Sequence, residues 1–122
     1  SKGHANLGII YVEEKDWEAA VTSLQMAVAL NEQDAMSYFR LASAQNSTGN
    51  CEEAKIAARN STELKNRFGG AWFELGIAEW CSGRGNKTAS LNAFEKARGD
   101  RTWRTMAEYE IDKVKNPQKY EN

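Results

Sequence analysis

Residues 4–27 read HANLGIIYVEEKDWEAAVTSLQMA, with the spacing His4-x2-Leu7-Gly8-x2-Tyr11 followed by Ala20-x3-Leu24-x2-Ala27. Apolar and small residues recur there at intervals of three and four on both sides of the polar break Lys15-Asp16, which predicts two amphipathic helices joined by a tight turn. Advancing by 34 residues finds Tyr38, Leu41 and Ala42, then Ala54, Ala58 and Ser61; a further 34 finds Trp72, Leu75 and Gly76. The second half of the third unit returns to register at Ser90, Phe94 and Ala97 once two residues, most simply Arg84 and Gly85, are inserted after Gly83. A helical hairpin of this length buries its apolar side only by stacking on copies of itself.

The first unit closely resembles the tetratricopeptide-repeat (TPR) family, with His4 standing in place of the opening Trp. The resemblance implies an all-α fold, a right-handed α-solenoid of three helix-turn-helix hairpins with a capping helix. Unit one then covers 1–34, unit two 35–68, unit three 69–102 with its two-residue insertion, and the capping helix and polar tail 103–122, all within one domain. Helices are expected over 2–14, 17–30, 35–48, 51–65, 69–82 and 87–98, and a last one over 101–115 with Trp103, Met106, Ala107, Ile111 and Val114 on its apolar stripe. That stripe is expected to seal the final hairpin, and Pro117 to end the helix.

Close packing of antiparallel helices requires contact positions without bulk, because the ridges of one helix must enter the grooves of the next. The equivalent positions hold Gly8, Ala42 and Gly76; Ala20, Ala54 and Ser90; Ala27, Ser61 and Ala97. All are small, although Gly, Ala and Ser together supply only 34 of 122 residues. Lys15-Asp16, Gly49-Asn50 and the Gly83–Asn86 stretch fall between the paired helices, where Gly or Asn ends one helix and Asp or Asn begins the next.

Composition narrows the function classes. Sixteen basic residues against seventeen acidic ones give a formal net charge of -1, without the electropositive footprint that nucleic acid requires. Arg98, Arg101 and Arg104 read as a solvated helix end. No apolar run approaches the ~20 residues of a membrane span, and no signal-peptide pattern stands in these residues. Ser1 falls directly inside a repeat with no polar capping element ahead of it, so a mature form or an excised fragment, with sequence upstream, is expected. There is no H-E-x-x-H, C-x-x-C, glycine-rich phosphate loop or G-x-S-x-G. His4, the single histidine, occupies a packing position. The expectation is a protein that is not an enzyme and uses no cofactor or metal.

Cys51 opens the second helix of unit two and Cys81 closes the first helix of unit three, ends that adjacent antiparallel helices place at one edge. Two readings stay open. A disulfide would require Cα atoms within about 7 Å and would imply an oxidising compartment such as a periplasm; two free thiols would fit the cytoplasm equally well.

In the resembled family, ligands lie on the concave face formed by the first helix of each unit. The corresponding residues here include Asn6, Ile9 and Val12 in unit one, Met36, Phe39 and Arg40 in unit two, and Phe73, Ile77 and Trp80 in unit three. The resemblance therefore implies a mostly apolar groove for a hydrophobic or amphipathic segment of another protein. A family subset grips the carboxylate of chaperone tails, at positions that here hold Ala5, Ile9, Arg40, Gly70 and Glu74. Only Arg40 offers a suitable cation and Glu74 would repel, so a chaperone C-terminal tail is disfavoured as partner. A second copy of the chain, or an enzyme for which this is a recruiting segment, are the alternatives.

Overall fold

A computed structural model describes residues 16–83 and 86–120, so the expected first helix with Asn6, Ile9 and Val12, and the insertion Arg84–Gly85, lie outside the described residues. Six α-helices follow: α1 (Trp17–Leu30), α2 (Ala35–Ser47), α3 (Cys51–Leu64), α4 (Gly69–Ser82), α5 (Lys87–Ala97) and α6 (Arg104–Lys115), then a 3-10 turn over Pro117–Tyr120. Consecutive helices pack on one another, and α2 also lies directly against α4. That extra contact is the mark of a stacked array, in which the first helices of successive hairpins form one wall. None of the described helices is long and apolar enough to cross a membrane.

Local chemistry fixes the helix ends. Asp16 caps α1 by accepting a bond from the Ala19 N–H at 3.3 Å, and Asp34 caps α2 through the Ser37 N–H at 3.2 Å and the Ser37 hydroxyl at 2.7 Å. The end of α2 is a Schellman turn: Gly49 sits at φ 81°, its N–H donates to Asn46 O at 3.1 Å, and the Asn50 N–H reaches Gln45 O at 2.8 Å. Only a residue without a Cβ takes that left-handed geometry freely. The last helix starts at Arg104, three residues beyond the expected 101, because Asp100 and Thr102 are held in a turn by a bond from the Thr102 N–H to Asp100 at 3.1 Å.

All eight described members of the small-residue set are buried, Gly8 lying outside the described residues. At Gly76 an added Cβ would come within 2.6 Å of the Phe94 ring, so its lack of a side chain is what lets α5 approach α4. The serines in the set do more than stay small. Ser61 donates to Ala35 O at 2.8 Å and Ser90 to Gly76 O at 2.9 Å, so each hydroxyl is satisfied inside the helix contact. One core cluster joins Leu24, Leu41 and Leu75 with interior alanines; the other gathers Phe73, Phe94, Ala107, Ile111 and Val114 beneath α6. The apolar stripe of α6 thus covers the last hairpin, with one correction: Met106 is 48% exposed and is not part of the seal.

Candidate functional site

The face shared by α2, α4 and α6 is built from residues one repeat apart. Met36, Gly70 and Met106 are equivalent along it, as are Phe39, Phe73 and Tyr109, and Arg40, Glu74 and Glu110, the second step being two residues longer because of the insertion. The closing helix is therefore also a third wall of the concave face. Sequence reasoning missed this role for Met106, Tyr109 and Glu110. The signal is present, since the longer step carries the same positions onto 106, 109 and 110, but the stripe expected for this helix assigned Met106 to its sealing side.

The expected groove residues split into two groups. Phe39 and Phe73 do not stand free. Trp103 lies 5.7 Å from Phe39 and 5.4 Å from Phe73, and Phe68 packs edge-on against Phe39 at 4.8 Å, all between ring centroids. Such offset and edge-to-face geometries suit the ring quadrupoles. Gly70 is the seat of this cluster, because a Cβ there would lie 2.7 Å from the Phe68 ring and 2.8 Å from that of Trp103. Asp100 holds the loop that brings Trp103 in, accepting a bond from the Gly69 N–H at 2.9 Å. It thereby caps α4 from a distance, where Phe68 in the N-cap position has no side-chain bond to offer. The amino-terminal edge of the concave face is filled by the chain's own aromatic rings.

The rest of the described face is less covered. Trp80 is 38% exposed, Ile77 is partly buried, and Met36 and Arg40 are intermediate. Between α4 and α6 lies a cavity of about 420 Å³ lined by Phe73, Thr105, Met106, Tyr109 and Glu110. Tyr109 is 54% exposed at its mouth.

One polar group is set into this apolar surround. Glu74 is only 9% exposed. The Asn46 Nδ2 donates to its carboxylate at 2.9 Å and to its main-chain oxygen at 3.0 Å. Burial pushes the Glu74 carboxyl up to about 7, and the charge of Glu110 pushes the same way, while bonds from Asn46 and Ser43 oppose the rise. The Asn46 Oδ1 is buried without a hydrogen-bond partner among the described residues.

Cys51 and Cys81 are joined in a disulfide, with Cα atoms 5.9 Å apart, within the span such a bridge needs. The bond ties the start of α3 to the end of α4, beside Trp80.

A concave wall of stacked first helices backed by second helices defines the class: a TPR-like fold, an all-α helical-repeat solenoid. Solved structures agree. The second TPR domain of human RPAP3, in complex with the HSP70 peptide SGPTIEEVD, superposes with a TM-score of 0.84 at 19% identity, over 93% of this chain and 92% of that one. PcrH in complex with the chaperone binding region of PopD gives a TM-score of 0.84 at 16% identity, over 96% of this chain and 92% of the other. The Yersinia enterocolitica type III secretion chaperone SycD, in complex with a peptide of the translocator YopD, gives 0.82 at 11% identity, over 96% and 93%. At these identities the likeness is one of fold. It does not separate partners either, since an HSP70 peptide and translocator segments occur among the same matches. No protein-family profile and no curated protein matches the sequence.

Proposed function

We propose that this chain is a non-enzymatic interaction module that holds an apolar or amphipathic segment of another polypeptide against its concave face. The observation that carries this is the open cavity between α4 and α6, apolar except for Thr105 and Glu110 and flanked by the exposed Met106 and Tyr109. Exposed apolar surface of this kind gains free energy when a partner covers it. The likeness in fold to domains solved with bound peptides supports the same conclusion.

An acidic tail is a poor occupant. Of the positions that grip a tail carboxylate in the family subset, Gly70 lies beneath the rings of Phe68 and Trp103, and Glu74 would stand against a carboxylate. The bond between Cys51 and Cys81 further favours an oxidising compartment such as a periplasm.

The groove is tested by affinity capture from native cells. Tyr109→Ala and Trp80→Ala should each reduce recovery of the bound partner at least about fivefold, as expected for aromatic contact residues. Ile56→Ala, on a second helix and exposed, serves as the control that should leave capture intact. Equal capture by all three variants and the wild type would place the partner elsewhere.

A further inference from the structure

Two glutamates of α4 are buried, and they are treated differently. Glu79 turns toward α3, where Lys55 Nζ stands 3.0 Å and Arg59 Nη2 3.3 Å from its carboxylate oxygens. Glu74 turns toward the concave face, and no cation among the described residues lies within 4 Å of it. Arg40 and Lys113 are the basic side chains in the neighbouring positions of this face, on α2 and α6. Arg40 makes no ion pair among the described residues, and Lys113 is held by Glu110 at 3.3 Å. Glu110 itself is only 14% exposed through its side chain. The described lysine of this face is thus taken by Glu110, and Glu74 is left without a cation among the described residues.

The donors on the floor are also spent. The Asn46 amide is committed to Glu74, and Asn46 Oδ1 is itself buried. What remains toward the groove is a pair of acceptors, Glu74 and Glu110. A group offering donors and positive charge but no acceptor suits both, and a lysine ammonium has that inventory. The apolar walls of Phe73, Met106 and Tyr109 suit the methylene stem of such a side chain.

We propose that the segment bound in the concave groove is apolar with one basic residue, whose cation enters between Glu74 and Glu110. This rests on the groove function proposed above and names the chemistry of its occupant. The charge preference is the inverse of a carboxylate grip.

The test uses the 122-residue chain and fluorescence anisotropy with three labelled amphipathic peptides. They share one apolar stripe of Leu and Phe and differ only at a central Lys, Met or Glu. On the wild type the Lys peptide should bind about tenfold tighter than the Met peptide and the Glu peptide about tenfold weaker, a modest value for a sheltered charge pair. Glu74→Gln and Glu110→Gln keep the side-chain shape, and circular dichroism checks their fold. In each the Lys-to-Met affinity ratio should fall toward one. Equal binding of the Lys and Met peptides to the wild type would overturn the cation site and leave the groove standing. A lysine preference that persists in both Gln variants would overturn it too. If none of the three peptides binds, the groove function fails and the cation site fails with it.

Discussion

Glu74 is the residue at which stability and recognition meet. Its folded carboxyl titrates at about 7, above the 4.5 expected for an exposed glutamate, with burial as the main cause and Glu110 adding to it. A raised folded value means that the stability contributed by the protonated form is complete below 4.5 and is lost as pH rises toward 7. The shift from 4.5 to about 7 corresponds to roughly 3 kcal/mol at most. The groups that set this behaviour are Ser43 and Asn46 on α2 and Glu110, with its partner Lys113, on α6. Urea unfolding from pH 4.5 to 8 should show the wild type weakening through that window while Glu74→Gln does not; parallel curves would mean that the carboxyl is solvated. The sequence marked Glu74 as a group hostile to carboxylates. It could not show the burial, which depends on α6 lying across from α2.

Among the helices, the lower edge of α4 is the most interdependent. Its first N–H is satisfied by Asp100, thirty-one residues away, and the same aspartate bonds Thr102 and so positions Trp103. Asp100→Ala should cost about 1–2 kcal/mol through the lost cap and also loosen Trp103 from Phe39 and Phe73. Denaturant midpoints measure the first effect and a red shift of tryptophan emission the second. An unshifted midpoint would show that water caps α4 as well as Asp100 does. Most helix ends were legible in the sequence because their caps are local: Asp16, Asp34 and Gly49 act within a few residues of themselves. The expected 17–30, 69–82 and, within a residue, 35–48, 51–65 and 87–98 agree with the observed spans. The start of α6 was not: Asp100 folds its own turn through Thr102 and also reaches Gly69, and only the first of these bonds is local. The same loop explains the site. Phe39 and Phe73 could be placed on the concave side from the repeat alone, but their packing against Trp103 depends on Gly70 being small enough to admit that ring, a tertiary fact.

For the molecule as a whole, the Cys51–Cys81 bond closes a loop with a sequence separation of 30. Chain-entropy reasoning gives such a loop about 3–4 kcal/mol of stabilisation, a large share of the 5–15 kcal/mol typical of a domain. Thermal melts with and without reductant should differ accordingly, and alkylation of protein taken from native cells should find both thiols protected. Full labelling before reduction would remove the bond and the compartment inferred from it. The aromatic cluster around Trp103 has a consequence of its own. Because Phe39, Phe68, Phe73 and Trp103 already pack on one another where the amino termini of α2 and α4 gather, the wall beside the Phe73–Tyr109 cavity is set before any guest arrives. A guest seated there has that much less order to impose on its host, so the entropic cost of docking falls on the guest.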